Sequence, residues 1–244
     1  MMPNTVFMVL IYGLLTALAT GLGALPFLFL KELSPKVLAV TNAIASGLML
    51  GASFGLLREG AVFGTPQTIV GGAAGIAFIL VAEKMLEGRE VAFGDLSGRG
   101  ARPILLLLVV MTVHSFSEGV AVGVAFGGGE KLATLITLAI AIHNIPEGMA
   151  ISAVMRSKGS TLAACALWSI VSSLPQPIMA VPAFLFVDTF RDVLPYGLGF
   201  AAGAMVFMVL MEILPGAYES GKRSTVALWV SLTFTAMVLF QKLI

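Results

Sequence analysis

Long apolar runs separated by short polar breaks dominate the chain. Eight runs fall at roughly residues 6–30, 37–57, 66–86, 103–126, 132–155, 160–187, 193–217 and 224–242, each near the ~20 apolar residues needed to cross a bilayer. Runs of this kind satisfy their backbone polar groups within hydrocarbon as helices. The expected fold class is therefore all-α integral membrane, with eight transmembrane helices in one domain over residues 1–244. Only one connection is long. Residues 87–102 carry Gly88, Arg89, Glu90, Gly94, Asp95, Gly98, Arg99, Gly100 and Arg102, a polar, glycine-rich loop too short to be a domain. The first run contains Ala17-Leu18-Ala19, which has the small-x-small form of a cleavage site. No basic residue precedes it and the apolar stretch continues, so it reads as a retained span.

Composition strengthens this picture. The chain is 58% hydrophobic and 11% charged, with a mean hydropathy of +1.01, whereas soluble domains carry about 25% charged residues. Twenty-seven glycines and 11 prolines fit closely packed membrane helices. The pairs Gly47/Gly51, Gly71/Gly75, Gly119/Gly123 and Gly199/Gly203 predict tight helix contacts; such packing permits a homodimer without requiring one. The single cysteine, Cys165, allows no internal disulfide and reads as a small core residue. A net charge of +1 offers no basic surface for nucleic acid. Alternate connections hold ten basic residues on one side and four on the other, Arg58, Lys131, Arg191 and Lys242. The cytoplasmic bias of Lys and Arg then places both termini outside and the long loop inside, in a plasma (inner) membrane.

Against this apolar background one polar pattern stands out twice. His143-Asn144-Ile145-Pro146-Glu147-Gly148 lies in the fifth run, and His114-Ser115-Phe116-Ser117-Glu118-Gly119 in the fourth. Histidine and glutamate at i and i+4 share a helix face, and ionisable groups in a membrane span are costly unless they pair, bind an ion or face water. Consecutive spans run oppositely, so the two copies are presented in inverted topology. Imidazole nitrogen and carboxylate oxygen suit borderline divalent ions, with Zn²⁺ leading and Fe²⁺, Mn²⁺, Co²⁺ and Cd²⁺ also compatible. Asn144, Ser115 and Gln176 are candidate weaker ligands. Pro146 is expected to break its helix and free the Ile142 carbonyl, and Pro175 and Pro177 to free those of Val171 and Ser173. Glu212, in an apolar run just before Pro215, is a candidate exit-path or secondary ligand. Met49 is by default a packing residue.

These residues resemble the signature of the ZIP metal transporters (the Zrt-, Irt-like proteins), especially their GufA-like branch, over the full chain. The resemblance implies an eight-helix bundle in which spans 1–3 and 6–8 form an inverted repeat around spans 4 and 5. It implies transport of a divalent metal, typically zinc, into the cytoplasm, with the metal as substrate. By matching position, His114, Glu118, His143 and Glu147 would form the primary metal position, and Glu118 and Glu147 would be shared with a second that includes Asn144. Met49 would line the entrance side and Glu212 the exit. The chain departs from the pattern in carrying Ser115 and Ser117 at Asn and Pro positions, and Gln176 where relatives often carry glutamate. The missing carboxylate predicts one well-occupied metal, with the second position weak or vacant. Two rival readings are an intramembrane zinc-dependent hydrolase, disfavoured because the spacing is not His-Glu-x-x-His, and a non-transporting metal sensor. No phosphate-binding loop is present, so ATP is not the expected fuel.

Overall fold

The computed structural model describes residues 3–30, 34–86 and 102–243. Most of the predicted loop, residues 87–101, lies outside the described residues. Among those described, every regular element is helical and there is no strand. Helix α1 spans Pro3–Leu22 and ends in a 3₁₀ turn, Leu25–Leu28. There follow α2 (Pro35–Leu86), α3 (Arg102–Gly127), α4 (Glu130–Ser157), α5 (Leu162–Ser172) and α6 (Pro175–Thr189). A short turn at Arg191–Val193 leads to α7 (Leu194–Met208), a π-helical turn (Val209–Ile213), α8 (Leu214–Ser220) and α9 (Arg223–Leu243). Six helical segments of the described chain are long and apolar enough to cross a membrane: Thr5–Leu28, Pro35–Ala82, Glu130–Ser157, Leu162–Thr189, Leu194–Ser220 and Arg223–Lys242.

One boundary differs from the sequence expectation. Residues 58–65 were expected to connect two spans, yet helix continues on both sides of a single extended residue, Gly64 (φ 171°, ψ 102°). Arg58 and Glu59 are good helix formers, so nothing ends the first half of α2 until the glycine, with Pro66 two residues later.

Glycine contacts set the packing. The first half of α2 lies against α9, where Gly51 meets the Met237 side chain, and its second half lies against α7, where Gly199 and Gly203 face the backbone of Thr68 and Gly72. Helix α1 packs on α4, and α3 on α6. The small-residue pairs thus do what the sequence assigned to them. A core including Val9, Leu56, Ile136, Ile140, Leu198 and Met205 fills the bundle between α1, α2, α4 and α7. Large apolar side chains such as Phe7, Leu18, Val62, Ile69, Ile178 and Leu232 point outward, as lipid-facing positions do.

Candidate metal centre

Helices α3 and α4 are joined by a two-residue link and pack together, which brings the two His-x-x-x-Glu motifs face to face. His114, Glu118, His143, Asn144 and Gln176 are fully buried, and Glu147 is 4% exposed. Each motif's own residues were expected to share a face, and they do, but the closest pairs cross between helices. His143 Nε2 lies 2.7 Å from Glu118 Oε1, and His114 Nε2 lies 3.0 Å from Glu147 Oε1. The same-helix separations are longer, 3.7 Å for His114–Glu118 and 4.0 Å for His143–Glu147.

These separations fit a cation. Tetrahedral zinc with bonds of about 2.1 Å places its ligand atoms roughly 3.4 Å apart, within the observed span of 2.7 to 4.0 Å. His114, Glu118 and Glu147 form a compact trio, their ligand atoms all within 4.8 Å of one another; His143 joins through Glu118. The close His114–Glu147 approach is not aligned as a hydrogen bond, and both nitrogens of His114, Nδ1 of His143 and Oε1 of Glu147 have no hydrogen-bond partner. Buried polar atoms left unpaired are expensive. A divalent ion would supply the missing partner.

An amide chain surrounds the trio. Gln176 Nε2 donates to Glu118 Oε2 at 2.5 Å, while Asn144 Nδ2 donates to Gln176 Oε1 at 3.1 Å and to the Thr16 carbonyl at 2.9 Å. Both ends of Gln176 are therefore engaged, whereas Asn144 Oδ1 has no partner. Neighbouring contacts were not read from the sequence. Ser173 donates to Thr20 at 2.8 Å, and Ser117 donates to the His114 carbonyl at 2.8 Å. The glycine following each glutamate permits close helix approach: a Cβ on Gly119 would lie 2.6 Å from the Gln176 carbonyl oxygen, and one on Gly148 would collide with that of Thr20. The repeated glycine was the available signal, since it marks where a backbone must come near.

Other expected site residues are placed less directly. Ser115 is buried beside His114, with no described contact to the trio. Met49 is fully buried in the main apolar core. Glu212 sits half-buried in the π turn and lies within electrostatic reach of His114; single π turns inside helices often occur at functional sites. Cys165 is a buried core residue, as expected.

Two expectations about the prolines are corrected, that α4 breaks at Pro146 and that the Val171 and Ser173 carbonyls are free. Helix α4 runs unbroken from Glu130 to Ser157 through Pro146, because losing one donor does not end a membrane helix held by its neighbours. In the α5–α6 link, the Val171 carbonyl accepts from Leu174 N–H at 3.2 Å and that of Ser173 from Gln176 N–H at 3.0 Å. The chain tightens into three-residue turns there, so neither oxygen is free.

Comparison with known proteins shows the family to which the chain belongs. The profile of the family described as ZIP Zinc transporter matches residues 94–240. The chain is 45% identical over 233 residues to At3g08650 of Arabidopsis thaliana, which carries a provisional zinc-transporter name; the match covers 94% of this chain but 38% of the plant protein's length. It is 30% identical over 226 residues to the zinc transporter GufA of Myxococcus xanthus, covering 87% of this chain and 89% of that one. It is also 30% identical over 245 residues to the zinc transporter ZupT of Chlorobaculum parvum, covering 91% of each. With its buried His/Glu cluster and its membrane-crossing helices, the chain belongs to the ZIP zinc transporter family.

Proposed function

We propose that this chain carries Zn²⁺ across a plasma (inner) membrane into the cytoplasm through the His/Glu site between α3 and α4. The observation that carries the reading is the ring of buried ligand atoms spaced at 2.7 to 4.0 Å on two antiparallel helices, several of them without hydrogen-bond partners. A permanent zinc site normally anchors each histidine through its second nitrogen. Here Nδ1 of both His114 and His143 is unpartnered, which suits ligands that must take up an ion and release it.

The packing supports the finer architecture. Helix α2 has 52 residues, about 78 Å of helix against a hydrocarbon core of ~30 Å, so it serves as two spans hinged at Gly64. Eight spans result, which puts both termini on one side of the membrane, and the bias of Lys and Arg towards the cytoplasm favours the extracytoplasmic side for them. An inverted repeat pairs span 1 with 6, 2 with 7, 3 with 8 and 4 with 5. Under that exchange the α1–α4 contact at Gly148 maps onto the α6–α3 contact at Gly119, and the α2–α9 contact at Gly51 maps onto the α7–α2 contact at Gly199.

His114, Glu118, His143 and Glu147 are assigned as the primary ligands, with Glu212 on the exit side and Met49 on the entrance side. Asn144 offers one free oxygen to a second position. Gln176 places an N–H against Glu118 where a relative's glutamate would offer a carboxylate, so a single zinc is the favoured stoichiometry.

Zinc flux into proteoliposomes under an inward gradient tests the reading. Saturable uptake by the intact protein supports transport. Tight zinc binding without flux would replace it with the sensor reading, and metal-dependent hydrolysis without flux with the hydrolase reading.

A further inference from the structure

We infer that a cavity at the end of the bundle where α4 begins binds the phosphate group of an anionic phospholipid. Arg58 and Glu59 of α2, Lys131 of α4 and Lys242 of α9 line it, around a volume of about 620 Å³. Three cations thus face one carboxylate. Among the described residues no ion pair involves any of the three cations. The connections on this side hold only four basic residues, Arg58, Lys131, Arg191 and Lys242, yet three of them converge on one cavity.

Lys131 makes the case sharper. It occupies the first turn of α4, a 28-residue helix whose N-cap, Gly129, offers no side-chain cap. A cation there opposes the helix dipole, whereas an anion is favoured by both the dipole and the free first-turn N–H groups. Glu130, in the same turn, is exposed and does not line the cavity. Gln241 also lines the cavity, and its amide donates to the Gly51 carbonyl at 2.8 Å.

The surroundings select a lipid over a free anion. Phe54 lies one helical turn from Arg58 on the same face of α2, and Phe234 lies two turns from Gln241 on α9. The two rings meet edge to face, with centroids 6.4 Å apart, and both are exposed. They form an apolar seam leading from the basic cavity toward the bilayer interior, where an acyl chain would lie. A headgroup phosphate in the cavity and a tail on this seam satisfy both halves at once.

Native mass spectrometry of the full chain, offered phosphatidylglycerol and phosphatidylcholine in equal amounts, tests the assignment. The intact protein is expected to retain phosphatidylglycerol selectively, with retention falling about fivefold for each charge removed by Arg58→Gln, Lys131→Gln or Lys242→Gln. Zinc binding by the triple variant, measured in parallel, shows that it is folded. Phe54→Ala is expected to weaken lipid retention with all three charges intact. No selectivity in the intact protein, or undiminished selectivity in a zinc-binding triple variant, overturns the proposal. Displacement of the lipid by millimolar inorganic phosphate, with Phe54→Ala having no effect, assigns the cavity to the free anion and overturns the lipid assignment.

Discussion

Replacing Gln176 with glutamate would place a second carboxylate where an N–H now donates to Glu118 at 2.5 Å. At that separation, with an effective dielectric of about 20, the two charges repel by roughly 7 kcal/mol; retreat to 4 Å still leaves ~4 kcal/mol. The substitution also removes a hydrogen bond to a charged acceptor, itself worth about 1.5–3 kcal/mol. Only a positive charge between the carboxylates relieves the repulsion, a proton in the metal-free protein or a second Zn²⁺ when zinc is abundant. A gain of ~4 kcal/mol corresponds to about three decades of affinity for that second ion. Metal-free Gln176→Glu should therefore melt well below the intact protein in detergent. Its zinc content, measured by elemental analysis, should rise from one ion per chain to two, with a correspondingly larger stabilisation by zinc. One zinc in the variant with unchanged metal-free melting would refute the reasoning, as would two equally tight zincs in the intact protein.

Other outcomes follow from the same contacts. Gly148→Ala drives a Cβ into the Thr20 carbonyl, so it should destabilise the fold by about 1–3 kcal/mol and depress uptake. Gly72→Ala, whose Cβ would meet nothing closer than 3.7 Å, should melt like the intact chain; equal melting of the two variants would contradict the packing. Uptake should fall as the medium is acidified, because ligand histidines must be neutral and carboxylates ionised to hold zinc, and raising zinc at low pH should restore it; a loss that zinc cannot reverse would point elsewhere. Glu212→Gln should lower the maximal rate of uptake while leaving equilibrium zinc binding nearly intact. A large loss of binding would make Glu212 a primary ligand.

The parts of this protein legible in the sequence were those set by local periodicity. Hydropathy marked the helices, and His-x-x-x-Glu spacing put each His/Glu pair on one face, because both depend only on helical geometry. Which glutamate each histidine approaches depends on the rotation of α3 against α4, and spacing along one helix carries no such information; hence the crossed pairs of His143 with Glu118 and His114 with Glu147 were not foreseen. The carbonyls of Val171 and Ser173 were expected to be free because proline lacks a donor, but a tightened turn supplied donors from Leu174 and Gln176. Similarly, Arg58 and Glu59 looked like a break between spans, although charged residues at a helix end can stay helical while their heads reach the interface. The π turn around Glu212 and the Thr16 carbonyl beneath Asn144 leave no recognisable trace in residue type.

Zinc uptake into proteoliposomes containing the intact protein, His143→Ala or Glu147→Ala, with zinc binding measured on the same preparations, tests the central claim most directly. Saturable uptake by the intact protein, with both binding and flux lost in each folded variant, is the predicted result. Flux that persists in either variant at the intact rate would mean that the ion does not pass through the site between α3 and α4.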